Sequence, residues 1–245
     1  MLNKPLQNFV GGKIKIDLYE GETIEVELQE LLGVGSLGRV WKTQDLSSGE
    51  LYILKIVNNF DPDTTLAKRF RLEAEVAIPS EYIICSVGFR EWDDRTYLIL
   101  FEYFAGVSLK DYLARHHLDI EQKRKIFQQI LTAVGDAHRC NVIHRDLKPA
   151  NVLVVPNESL GELLKIVDFG IAKLLNESGA VSVTQAYVGT LAYSSLEQLE
   201  GLPLDPRSDI YSLGIMLYQM LVGVLPIIPT SDSFAGWYQA HRKKR

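Results

Sequence analysis

A chain of 245 residues can bury a sizeable core as one large domain or two small lobes, and 47% apolar with 23% charged residues excludes disordered and fibrous classes. A net charge of −5 argues against nucleic acid as the main partner, and two cysteines, Cys85 and Cys140, make neither a disulfide framework nor a metal cluster. The nearest approach to a membrane span, Ile210 to Val224, carries Gln219 and falls short of the roughly twenty residues needed, and Met1 to Val10 lacks a signal peptide's apolar centre, so a cytoplasmic chain is expected.

Lys13 to Leu18 alternates polar and apolar residues, the pattern of a half-buried strand. The alternation resumes at Ile24 through Val26 and Leu28 and runs into Gly33-Val34-Gly35-Ser36-Leu37-Gly38-Arg39-Val40. A dinucleotide-binding loop would open a helix after its last glycine. Gly38 to Lys42 reads as a strand instead, and taken alone the run is a glycine-bearing hairpin. In Leu51 to Val57 one lysine, Lys55, interrupts an apolar run, so it has a charged partner or snorkels from an edge strand. Asp61-Pro62 starts a helix that Pro79 ends, with Leu66, Phe70 and Ala77 on one stripe. Glu73 falls on that stripe, whereas Glu75 points away from it. Tyr82 to Phe89 and Thr96 to Tyr103 complete a five-stranded sheet with one helix. From Asp119 an amphipathic helix carries Ile126, Phe127, Ile130, Leu131, Val134 and Ala137, the centre of a second, helical lobe.

Val142 to Val155, V-I-H-R-D-L-K-P-A-N-V-L-V-V, sets two strand-like apolar runs around His144, Arg145, Asp146, Lys148 and Asn151. Burying such side chains without partners costs roughly one to several kcal/mol each, so something other than packing places them here. Asp and Asn in loops also satisfy local backbone groups, and that reading stays open from the residues alone. Two short strands follow, Val152 to Val155 and Leu163 to Val167, the second running into Asp168-Phe169-Gly170. Arg207 to Gly214 begins an apolar helix with Asp209 in its first turn, and Arg242 to Arg245 reads as a solvated helix end.

H-R-D-L-x-x-x-N, with G-x-G-x-x-G-x-V and a strand lysine before it and D-F-G after it, resembles the eukaryotic-type Ser/Thr protein kinase family, in a bacterial-like, C-terminally short form. The resemblance covers nearly everything from about Ile24 onward. It implies an α+β, two-lobed fold: residues 1–23 an extension with an extra strand pattern, 24–104 a β-rich lobe with one main helix, and 105–245 a mostly helical lobe lacking its last helices. It implies ATP and Mg²⁺ as cofactors and a protein substrate with Ser or Thr as phosphate acceptor. No nucleic acid and no membrane span are expected.

The same resemblance gives roles to individual residues. Asp146 accepts the substrate's hydroxyl proton, Lys148 steadies the travelling phosphate, and Asn151 and Asp168 hold Mg²⁺. Lys55 touches the α and β phosphates and pairs with Glu73, which otherwise reads as a solvated glutamate. Gly33, Gly35, Gly38 and Val40 cover the phosphates, the backbone of Glu102 and Phe104 binds adenine, and Leu153 closes the floor of its pocket. His144 is a packing residue, and Asp209 braces the catalytic loop or is simply a first-turn carboxylate. The segment Ile171 to Ser194 would carry regulatory hydroxyls at Ser178, Ser182, Thr184 and Thr190. Thr184 is expected to take a phosphate received by Arg145, and Thr190 to shape the substrate site beside Lys148. Two departures stand out: Ile53 occupies a position where the family has a small Ala, and Ser195-Leu196-Glu197 replaces A-P-E, with the usual Arg partner of Glu197 expected beyond this chain. A truncated or degenerate kinase that binds ATP or a partner without useful turnover is the alternative; the retained charged positions argue against it and the short second lobe for it.

Overall fold

Alternation with a period of two places Ile14 and Ile16 of strand β1 (Lys13–Asp17) inward and the charged Lys13, Lys15 and Asp17 outward. The computed structural model of the chain describes residues 10–35, 38–57, 77–93, 96–157, 161–168 and 191–243. The chain divides into two compact units, Met1–Ala77 with Cys85–Tyr103, and Ile78–Ile84 with Phe104–Arg245. Ser36 and Leu37 of the glycine run, the helix expected after Asp61 with Leu66, Phe70 and Glu73, Phe169-Gly170, and the hydroxyls of Ser178, Ser182, Thr184 and Thr190 lie outside the described residues.

In the first unit β1 is followed by β2 (Thr23–Gly35), β3 (Gly38–Asp45), β4 (Leu51–Val57), β5 (Ser86–Asp93) and β6 (Thr96–Glu102). They form one antiparallel sheet in the order β1-β2-β3-β4-β6-β5, six strands rather than the expected five. Two bulges in β2, between Leu28 and Glu30 and between Leu31 and Gly33, interrupt its pairing with β3 and add local bend and twist. The two ends of the sheet meet: Leu18, just past β1, bridges Gly88 of β5, and the Tyr19 amide donates to the Val87 carbonyl at 3.1 Å. Gly88 permits this approach, because a Cβ there would sit 2.7 Å from the Asp17 carbonyl oxygen. Inside lie Ile14, Ile16, Val26, Leu28, Trp41, Leu54, Ile56, Leu98 and Leu100.

Tyr82 to Ile84 does not extend β5. The Ile84 amide donates to the Ile166 carbonyl and the Ile166 amide to the Tyr82 carbonyl, so this run pairs with the second unit's sheet and β5 begins only at Ser86. That sheet consists of β7 (Val107–Ser108), β8 (Val152–Asn157) and β9 (Gly161–Ile166). The helices are α1 (Leu109–Arg115), α2 (Ile120–Arg139), α3 (Leu196–Leu199), α4 (Pro206–Val222) and α5 (Phe234–Lys243). Asp119 caps α2 in a reciprocal box with Gln122, and the buried stripe of the helix is Ile126, Ile130, Ala133, Val134 and Ala137. Leu131, expected on that stripe, is exposed. Among the described residues no helix is long and apolar enough to cross a membrane.

Candidate active site

The end of α2 delivers the chain to the polar loop. Asn141 takes a left-handed conformation (φ 59°), and its amide and that of Val142 turn back onto the His138 and Ala137 carbonyls, a two-bond stop that satisfies the last helical acceptors. Val142 and Ile143 are therefore turn and loop, not the strand their side chains suggest. The backbone that follows is held from outside. Asp209, on α4 and only 1% exposed, accepts from the His144 amide on Oδ2 and from the Arg145 amide on Oδ1, both at 2.9 Å, and His138 Nε2 approaches Oδ2 at 2.8 Å. Of the two readings of Asp209, the bracing one is the one seen.

His144 is buried and has a packing and orienting place. Its Nδ1 accepts from the Asp146 amide at 3.2 Å, so Nε2 carries the proton and donates to the Val167 carbonyl at 3.1 Å. The Val167 amide in turn donates to the Asn151 carbonyl at 3.0 Å, which sets Asp168 beside the loop. Arg145 (φ 68°) and Asp168 (φ 62°) both adopt left-handed backbone that non-glycine residues avoid. Such strain concentrates where a site fixes side-chain direction.

Two polar side chains of the loop meet on one carboxylate, that of Asp146. Lys148 Nζ donates to Asp146 Oδ2 at 2.8 Å, and Asn151 Nδ2 donates to the same oxygen at 3.0 Å and to the Asp146 carbonyl at 2.8 Å. Asp146 Oδ1 is buried and accepts no hydrogen bond from any described residue. With its nitrogen committed to Asp146, the Asn151 amide has its oxygen left as a hard ligand, the type that Mg²⁺ prefers.

Elsewhere in this unit Phe104 and Leu153 flank Gly106, where a Cβ would lie 2.9 Å from the Phe104 ring and 3.1 Å from Leu153 Cβ. In the first unit Val40 lies opposite Lys55, and Ile53 opposite Phe101, on the sheet face away from Trp41, Leu54 and Ile56. Gly33 pairs with Val40 and Gly35 with Gly38. Gly38 has φ 149°, and a Cβ there would run into the Ile56 carbonyl oxygen. Glu102 ends β6, and the division between the units falls between Tyr103 and Phe104.

Three supporting residues are additional to those read from the sequence. Gln198 Nε2 donates to the Arg145 carbonyl at 2.8 Å while its Oε1 accepts from the Ser195 amide at 2.9 Å. The Ser-x-x-Gln spacing is a helix-start signature and was the available signal. Ser208 Oγ donates to Glu197 Oε1 at 2.6 Å, giving Glu197 a partner within the chain. Burial pushes the Glu197 carboxyl up, but hydrogen bonds, led by that of Ser208, outweigh it and hold it below the ordinary value. His138, on α2, is the third, and nothing in its spacing marks it.

A β-rich unit with a glycine hairpin and a strand lysine, and a mostly helical unit with an Asp-Lys-Asn cluster beside Asp168, together define the fold of a protein kinase. The protein kinase domain family matches residues 26–242, and the chain belongs to that family. It is 42% identical over 228 residues to "Serine/threonine-protein kinase A" of Synechocystis sp., covering 88% of this chain and 44% of that protein. It is 36% identical over 235 residues to "Serine/threonine-protein kinase pkn3" of Myxococcus xanthus, covering 92% and 42%. Among solved structures, Rad53 residues 1–466 in complex with AMP-PNP matches with a TM-score of 0.66 and 27% identity, over 88% of this chain and 52% of that one. The chain thus spans less than half the length of these two curated relatives.

Proposed function

We propose that this chain transfers the γ-phosphate of ATP to Ser or Thr hydroxyls of a protein, with Mg²⁺. The observation that carries the reading is the state of Asp146: one carboxylate oxygen is fixed by Lys148 and Asn151, and the other is buried with no donor among the described residues. A buried acceptor left open costs about 1–3 kcal/mol, and an incoming hydroxyl is the donor that offsets it. Asp146 Oδ1 then takes the hydroxyl proton, and Lys148, already at the carboxylate, meets the phosphate as a point charge. The Asn151 amide oxygen and the Asp168 carboxylate would hold Mg²⁺, which supplies charge neutralisation at the phosphates. Lys55 and the glycine hairpin serve the phosphates, Glu73 pairs with Lys55, and Glu102, Phe104 and Leu153 serve the base. The serine/threonine names of the relatives support the acceptor type.

The test is incubation with labelled ATP and Mg²⁺, reading label on the chain and on added casein. Asp146→Asn is expected to lower the transfer rate by about 10² to 10⁴ with ATP affinity little changed. Equal turnover by the variant would remove Asp146 from its role, and ATP binding without transfer by the native chain would favour a non-catalytic binding module.

A further inference from the structure

The stretch Leu191–Ser195 follows directly on Thr190 and leads into α3, and it is tied to the loop that carries Asp146. Gln198 joins the Ser195 amide to the Arg145 carbonyl, one residue from Asp146. Its other end is held by α5. His241, 2% exposed, has Nε2 at 2.9 Å from the Leu191 carbonyl and Nδ1 at 2.6 Å from the Tyr211 hydroxyl. The carbonyl can only accept, so Nε2 carries the proton. Burial pushes the His241 imidazole below its ordinary value, so the ring is neutral and Nδ1 accepts. Burial, followed by the nearby Glu197 charge, pushes the Tyr211 phenol up. It therefore keeps its proton and donates to Nδ1. A single chain of donors thus runs from α4 through His241 to the Leu191 carbonyl.

A second tie comes from α4 alone, where Ser212 Oγ donates to the Tyr193 carbonyl at 2.7 Å. The Leu191 and Ala192 side chains are buried with Ile215, Ile227 and Trp237 and are turned to the core rather than to solvent. With its side chains committed to the core, the stretch is fixed through its backbone, and His241 holds one end of it from a helix far along the sequence.

We propose that His241, oriented by Tyr211, is a positioning residue for the protein substrate: it holds the Leu191 carbonyl and with it the stretch that sets the acceptor hydroxyl against Asp146. This rests on the kinase reading above. Phosphate transfer from ATP to casein would be measured for the native chain and for His241→Ala, His241→Gln and Tyr211→Phe, with urea midpoints recorded for each. Gln can present Nε2 to the Leu191 carbonyl, whereas Ala cannot. His241→Ala is expected to raise KM for casein about three- to tenfold, the size of one hydrogen bond, with KM for ATP unchanged. His241→Gln is expected to recover most of that loss, and Tyr211→Phe to fall between.

A casein KM unchanged in His241→Ala would overturn the proposal, as would a His241→Gln variant equal to His241→Ala. Should His241→Ala fail to fold, the comparison of His241→Gln and Tyr211→Phe with the native chain decides. A KM for casein that rises in Tyr211→Phe more than in His241→Gln supports the donor chain, and equal values in all three proteins overturn it. If the native chain transfers no phosphate, the kinase reading falls and takes this proposal with it; transfer with unaltered KM values removes the proposal alone.

Discussion

Asp209 spends both carboxylate oxygens on backbone amides of the polar loop, with His138 as a third contact. Replacing it by Ala would leave the His144 and Arg145 amides without an acceptor, at about 1–3 kcal/mol each. Asp209→Ala is therefore expected to lose roughly 2–6 kcal/mol in urea unfolding, and transfer should fall because Asp146 loses its fixed backbone. A variant with native stability would show that the loop holds its shape without α4. Asp209 illustrates what spacing alone hides: by position it is one more first-turn acid, its bracing role came from the family resemblance, and the return of α4 to the end of α2 shows the contacts. His144, Asp146, Lys148 and Asn151 were legible because they stand within eight positions, where a local pattern can be seen.

At the scale of elements, strands and helices followed from hydrophobic period, while their partners did not. Lys13–Asp17 declares itself a strand by alternation, yet nothing in it names β2 on one side and the Val87–Gly88 end of β5 on the other. Tyr82 to Ile84 is a short apolar run that could serve either sheet, and periodicity cannot choose. The close approach at Gly88 can be tested directly. Gly88→Ala would press its Cβ against the Asp17 carbonyl and the Ile16 and Leu18 side chains. Overpacking of this kind costs about 1–3 kcal/mol. The expected outcome is faster hydrogen exchange at the Tyr19 amide together with a lowered unfolding midpoint; native exchange at Tyr19 would mean that β1 and β5 part without consequence.

For the whole molecule, His241, Glu197 and Asp45 are among the described groups that make stability follow acidity. His241 has an ordinary value of 6.5 and is pushed down by burial, against the opposing pull of its Leu191 bond. As pH falls through 6.5 the unfolded chain takes up a proton that the folded chain refuses, so stability is full above that value and declines below it, by at most about 1.4 kcal/mol per pH unit. Glu197 and Asp45 behave as depressed carboxylates: their contributions are present above 4.5 and 3.8 and are lost as pH drops through the folded values. For Asp45, held down first by the Ser48 hydroxyl and then by Ser47, that value is about 2. Urea midpoints between pH 8 and 2 should therefore fall in two stages, the imidazole's below 6.5 and the carboxylates' below 4.5. His241→Gln should flatten the upper one, and an identical upper stage in that variant would acquit the imidazole.

The ring-like joining of β1 to β5 also bears on where this molecule can be divided. The family match opens at residue 26, but Ile14 and Ile16, 1% and 0% exposed, pack against Val26, Leu28 and Leu100. A fragment trimmed to the match would carry off two keystones of the first unit's interior and bare the outer rim of β2. An expression boundary for this kinase domain belongs upstream of Lys13.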